Sequence, residues 1–290
     1  MGPSRGPSSR LRHRAFDREV GRRHNLPLVS DQVLKPESAR PPRTSAASAA
    51  SFAARDRIWE VDFLRGVSII LMVGYHLLYD LGEMVGLGSF LGFSTNLSTR
   101  AWTIAEYFFA GLFVILSGIS STLSRSNVRR ALKLFAVALL VTGATFVFDR
   151  SSTILFGILH CLAASILIYG LTMEKAGATV CAAAGAAVIV FSAVLPVALK
   201  DVPIRFDWLL PFGIHTTNFS SFDYFPLLPW LGIFLAGTAL GKSVYAPRQS
   251  LIPKRLPVSF VNIAGRHSLL IYIVHQPIIL AILYVLRLIR

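Results

Sequence analysis

The sequence predicts an all-α fold: a polytopic membrane helix bundle of about seven transmembrane helices, with its N-terminus in the cytoplasm. Three observations carry this expectation. Of the 290 residues, 53% are hydrophobic, and mean hydropathy is +0.58, values that suit multi-span membrane proteins and not soluble domains. The apolar residues gather into seven runs near the ~20 residues that cross a bilayer. Lys and Arg concentrate in alternate loops, as the positive-inside bias requires. Two domains follow: a basic cytoplasmic tail over 1–57 and a transmembrane domain over 58–290.

Residues 1–57 are rich in Arg, Ser, Pro and Ala, with no apolar period and no signal-peptide core, so a disordered tail is expected. The spans then run over 62–82, 101–123, 131–149, 154–172, 178–199, 226–242 and 263–286. Between the first two, segment 83–100 carries Gly, Ser, Phe90 and Phe93 and reads as interfacial. Segment 200–225, with Trp208, His215, Asn218, Asp223 and Tyr224, reads as a longer, wetter loop. Pro226, Pro229 and Trp230 suit a helix start at the headgroup level. Gly232, Gly237 and Gly241 suit close helix packing.

Arg125, Arg129, Arg130, Lys133, Lys175, Lys242, Arg248, Lys254 and Arg255 fall on the side of the tail. Only Arg100, Arg150, Lys200, Arg205, Arg287 and Arg290 fall on the other. That imbalance predicts N-terminus in and C-terminus out. It also accounts for the formal net charge of +14 as a topology signal, so the expected partner is the lipid bilayer and not nucleic acid. Cys161 and Cys181 both lie inside apolar spans, where small buried packing residues are expected. No ligand spacing supports a metal site, so none is predicted.

The first span carries the most chemistry. At about 100° per residue, Asp62, Arg65, His76, Asp80 and Glu83 lie within about 60° of one another. Ionisable groups at membrane depth cost several kcal/mol unless they face protein or water, so such a stripe reads as the lining of a site. His76 has the side chain whose ordinary pKa suits a general base. Asp80, four residues on, could orient its ring. Arg65 could clamp phosphate or simply pair with Asp62. His275, in His275-Gln276-Pro277, sits beside a proline that loosens the helix. His160 reads as a hydrogen-bonded core or supporting histidine.

Glu-Val-Asp-Phe-Leu-Arg-Gly (60–66), followed by His76 in Tyr-His-Leu-Leu-Tyr-Asp, resembles the opening of the heparan-alpha-glucosaminide N-acetyltransferase-like membrane proteins. It is also similar to the Asp…Arg-Gly…His pattern of the wider integral-membrane acyltransferases. Phe-Gly-Ile-Leu-His (156–160), Pro-Leu-Leu-Pro-Trp-Leu-Gly (226–232) and Gly-Arg-His-Ser-Leu-Leu-Ile-Tyr-Ile-Val-His-Gln-Pro (265–277) follow in order. The resemblance covers about 58–286. It implies transfer of an acetyl or other acyl group from cytoplasmic acetyl-CoA, as donor substrate, to a sugar-type acceptor on the far side. It implies that His76 is the catalytic histidine, Arg65 a cytoplasmic-side contact for CoA and His275 a supporting site residue. Together with the stripe, this gives His76, Asp80 and His275 as the expected catalytic group and Arg65, fixed by Asp62, as the expected donor-binding group. Acyl-CoA and a sugar or glycan are then the expected partners, a bacterial inner membrane the expected location, and a homodimer one allowed assembly.

His76 could deprotonate the acceptor or be transiently acylated; the residues leave both routes open. Two rival readings use the same stripe. A secondary transporter would bind a solute there and would show solute flux without an acyl donor. A non-enzymatic assembly partner would keep full function after His76→Ala.

Overall fold

A computed structural model describes residues 58–253 and 259–289. The expected tail, residues 1–57, lies outside the described residues, as do Lys254, Arg255 and Arg290. The fold is helical throughout its spans: α1 (Trp59–Glu83), α2 (Arg100–Leu123), α3 (Asn127–Phe148), α4 (Ile158–Ile168, prolonged by a π-helical turn Tyr169–Met173), α5 (Ala178–Ala198), α6 (Leu227–Val244), α7 (Ser259–Arg266) and α8 (Ser268–Val285). Six of these, α1, α2, α3, α5, α6 and α8, are long and apolar enough to cross a membrane. The expected all-α polytopic bundle is therefore what the chain forms.

Two expected spans differ in detail. The fourth was expected over 154–172, but its helix begins at Ile158 and, with its π turn, ends at Met173. The preceding residues spend their backbone groups elsewhere: Thr142 donates its hydroxyl to the Ile154 carbonyl at 2.6 Å, and Phe225 donates its N–H to the Phe156 carbonyl. The seventh was expected as one helix over 263–286. It is divided at His267 (φ −104°, ψ 19°) into α7 and α8. Pro277 lies inside α8.

Helix α6 is the hub, packed between α5 and α2. Its glycines admit these neighbours: Gly232 lies against Gly185 of α5, while Gly237 and Gly241 lie against Ile115 and Thr122 of α2. Val114, Ile166, Tyr169, Cys181, Trp230 and Phe234 form the core around this seam. Both cysteines are buried thiols, as expected of packing residues.

Helix α1 packs on α2 on one flank and on α7 and α8 on the other. The crossing with α7 is a backbone-to-backbone contact. A Cβ on Gly66 would run into the Val261 carbonyl, and one on Gly265 into the Asp62 carbonyl. The glycine that follows Arg65 is thus required by the crossing helix, which also carries Arg266.

The two ends of the bundle are tied differently. At one end Trp59 Nε1 donates to the Ile252 carbonyl at 2.9 Å, the Leu251 N–H donates to Glu60 Oε1 at 2.6 Å, and Lys242 Nζ donates to the Glu174 and Ala176 carbonyls at 2.6 and 2.7 Å. At the other, Phe222 N–H donates to the Ser152 carbonyl at 2.9 Å and Tyr224 Oη donates to the Leu210 carbonyl at 2.8 Å. The segment after α1 holds a short hairpin, β1 (Ser89–Phe90) with β2 (Phe93–Ser94). Leu91 and Gly92 turn it with φ of 51° and 82°, the left-handed pair that a two-residue hairpin turn uses.

Candidate active site

The polar stripe of α1 meets α8 in the half of the bundle that carries the long loops. His76 and His275 face each other with ring centroids 5.0 Å apart and planes tilted by 53°. His275 Nδ1 lies 2.7 Å from the Tyr272 carbonyl oxygen. A carbonyl can only accept, so Nδ1 carries the proton and Nε2 keeps a lone pair. That Nε2 is buried and has no hydrogen-bond partner among the described residues. It is a base held in one tautomer and left available beside a second imidazole.

Asp80, one turn beyond His76, was expected to orient the His76 ring. Its carboxylate is engaged instead by Gln276: Nε2 donates to Oδ1 at 3.0 Å and to Oδ2 at 2.8 Å. A carboxylate needs donors, and the amide of α8 supplies them. This arrangement fixes Gln276 with its Oε1 buried and without a partner among the described residues. The cluster therefore holds two acceptors without partners among the described residues, His275 Nε2 and Gln276 Oε1. Toward α2, Tyr75 flanks His76 edge-on at 5.8 Å and donates its hydroxyl to Glu106 Oε2 at 3.1 Å.

Asp223 anchors α8 from outside the helices. Its Oδ2 accepts from the Ile158 N–H and from the Tyr272 hydroxyl, each at 2.9 Å. It thus joins the long loop, the start of α4 and the turn of α8 that positions His275. Removal of this carboxylate from solvent raises its pKa above the ordinary range, and the two donated hydrogen bonds oppose that rise.

Arg65 and Asp62 lie near the opposite end of α1. Arg65 Nη1 pairs with Asp62 Oδ1 at 3.3 Å, its Nη2 hydrogen-bonds Ser120 of α2, and Arg266 Nε stands 3.6 Å from Asp62 Oδ2. The eleven residues between Arg65 and His76 correspond to a rise of about 16 Å. The five expected site residues therefore form two groups: His76, Asp80 and His275 together, and Asp62 with Arg65 apart. Glu83 sits exposed at the end of α1.

A family model described as heparan-alpha-glucosaminide N-acetyltransferase, catalytic, matches residues 57–277. The chain belongs to this family. No curated protein and no solved structure matches it. Membership in this acetyltransferase family accords with the apolar spans and marks the chain as an integral membrane protein of transferase type. Two residues of this cluster, Gln276 and Tyr272, were not singled out from the sequence. Gln276 was visible as the residue between His275 and Pro277, but a glutamine carries no periodic signal that names its partner.

Proposed function

We propose that the chain is a membrane acyltransferase that moves an acetyl, or other acyl, group from cytoplasmic acyl-CoA to a sugar-type acceptor on the outer side. In this reading the membrane is a bacterial inner membrane with the N-terminus inside, as the Lys and Arg distribution suggests. The observation that supports the chemistry best is the facing pair of imidazoles with the open, tautomer-fixed Nε2 of His275.

The acceptor hydroxyl or amine attacks the thioester carbonyl, and its proton passes to an imidazole lone pair; the leaving thiolate takes up a proton. His275 Nε2 is the base whose tautomer is already set, and His76 is the imidazole beside it. The pair also suits the alternative in which His76 attacks the thioester while His275 removes its ring proton. Asp80 holds Gln276, whose free Oε1 can accept a hydrogen bond from an acceptor hydroxyl or amine. Arg65, steadied by Asp62 and Ser120, binds the donor at the cytoplasmic end. The polar stripe of α1 then runs from the donor's charged head to the reacting group.

Purified protein in detergent, wild type beside His76→Ala, tests this with acetyl-CoA binding and CoA release on a panel of amino sugars and polyols. The expected result is binding in both proteins and turnover in the wild type alone. Folded wild type that binds no acyl-CoA would retire the reading, and solute flux in liposomes without a donor would put a transporter in its place.

A further inference from the structure

Two arms of like construction flank the facing imidazoles. On α1, Tyr75 stands edge-on to His76 at 5.8 Å and donates its hydroxyl to Glu106 Oε2 of α2 at 3.1 Å. On α8, the Tyr272 ring lies 5.7 Å from the His275 ring, and its hydroxyl donates to Asp223 Oδ2 at 2.9 Å. Each arm is an imidazole, a tyrosine and a carboxylate. The two carboxylates also approach each other. Tyr107, next to Glu106, stacks on Trp230 at 5.9 Å with planes 14° apart. Trp230 in turn packs on Phe225, two residues beyond Asp223, at 4.9 Å. Glu106 is near enough for its charge to act on Asp223. Helices α1, α2 and α8 and the loop before α6 thus gather two histidines, two tyrosines and two carboxylates around one locus.

The bonds already made determine what this locus can still bind. Both tyrosine hydroxyls donate to carboxylates. Glu106 Oε1 and Asp223 Oδ1 accept no hydrogen bond among the described residues. His275 is 8% exposed; its Nδ1 is turned to the Tyr272 carbonyl, and its Nε2, on the opposite edge of the ring, is buried without a partner among the described residues, as is Gln276 Oε1. All four of these atoms are acceptors. A ligand that satisfies them presents N–H or O–H groups. No lysine or arginine pairs with Glu106 or Asp223 among the described residues. An anionic group entering here meets carboxylates that repel it and no counter-charge, and a charge buried unpaired is costly.

We propose that Glu106 and Asp223 set the charge specificity of the acceptor: they receive the hydroxyl or amine donors of an acceptor without negative charge, and they turn away sugars that carry a carboxylate or phosphate near the reacting group. This inference rests on the acyltransferase reading and narrows its acceptor. The reacting hydroxyl or amine donates to His275 Nε2, and a second donor on the same molecule reaches Glu106 or Asp223. A sugar ring carries such donors on neighbouring carbons. Glu106, at the start of the second span, becomes an acceptor-binding residue.

The test uses full-length protein in neutral detergent, with Glu106→Gln and Glu106→Asp beside wild type and acetyl-CoA as donor. Acceptors are compared in pairs that differ by an anionic group: glucosamine with glucosamine 6-phosphate, and methyl glucopyranoside with its glucuronic acid counterpart. The same pairs serve as thermal-shift ligands, a readout that needs no turnover. The expected wild-type preference in kcat/KM for the member without the anionic group is about tenfold or greater. Glu106→Gln can still accept the Tyr75 hydroxyl through its amide oxygen. It raises KM for the preferred member, leaves the acetyl-CoA Kd unchanged, and lowers the preference by about tenfold. Glu106→Asp keeps the charge and recovers the preference. Asp223→Asn, read in the same way, carries the comparison if the glutamine variant does not fold.

A wild type indifferent to acceptor charge, or one that prefers the anionic members in either readout, would overturn the proposal. Equal loss with both members of each pair, in Glu106→Gln and Glu106→Asp alike, would make Glu106 a structural residue and also overturn it. Acetyl-CoA binding by a protein that neither acetylates nor binds any of the four sugars would overturn the acceptor assignment while leaving the acyltransferase reading in place. Glu106-dependent preference for the uncharged sugar by a protein that never binds acetyl-CoA would keep the charge selection and retire the acyltransferase.

Discussion

His160 and His275 are both histidines at membrane depth, and their surroundings separate their roles. His160 Nδ1 accepts from the Gly157 N–H at 3.3 Å, so its Nε2 carries the proton and donates to Thr142 Oγ at 3.2 Å. Thr142 in turn donates its hydroxyl hydrogen bond to the Ile154 carbonyl. Every polar atom of that ring is used, and the ring holds the start of α4 against α3. His275 has the opposite tautomer and a closed Nδ1, but its buried Nε2 has no partner among the described residues. The contrast teaches that a buried histidine whose hydrogen bonds are closed is a structural clamp, whereas one with an open lone pair facing a second imidazole is equipped for proton transfer.

The largest effect expected is at the open ring. His275→Gln should lower acyl-transfer turnover by about 10²–10⁴-fold, the usual worth of a general base, while acetyl-CoA still binds. If His160→Ala lowered turnover per folded molecule as far, the contrast would break. Gln276→Leu should cost roughly tenfold in turnover through loss of one hydrogen bond in the reacting site. Activity equal to wild type would show that Oε1 serves no acceptor.

Stability measurements sharpen the other side. Gly265→Ala drives a methyl group into the α1 backbone at Asp62 and should destabilise by about 1–3 kcal/mol, read as a lower Tm in detergent. His160→Ala leaves the Gly157 N–H and Thr142 short of partners and should cost about 1–3 kcal/mol by the same assay. A Tm unchanged by His160→Ala would remove the clamp assignment.

The smallest effect concerns Asp223. A carboxyl whose folded pKa is raised keeps the folded state more protonated than the unfolded one. Stability is then greatest below the ordinary Asp value of about 3.9, declines as pH rises from there, and levels off above the folded value. Asp223→Asn should remove that decline from a Tm profile recorded across the acid range. A profile parallel to wild type would show that the carboxylate does not titrate anomalously.

Much of the α1 stripe was legible because helical period is local. Asp62, Arg65, His76 and Asp80 could be placed on one face from spacing alone, and the nearness of His275 followed from the resemblance. The choice of Gln276 as the partner of Asp80 was not legible: 196 positions separate them, and two acceptable partners, His76 and Gln276, compete for one carboxylate. Arg130 was read as a topology signal for a similar reason, since charge bias registers a cation without Ser117 and Ser121, the α2 serines to which its guanidinium donates. The hairpin at Leu91 and Gly92 was missed because a leucine gives little sign that it will take a left-handed turn.

The sequence by itself determined the material: apolar runs long enough to span, a polar stripe with a fixed period, and glycines at the points where helices cross. These depend on neighbours within a few turns, where the backbone geometry is known in advance. The tertiary structure alone decided which histidine nitrogen stays open, where the seventh span divides, and which α2 serines Arg65 and Arg130 reach. Those outcomes depend on hydrogen-bond partners drawn from distant helices, and competition among possible partners is resolved only when the helices pack.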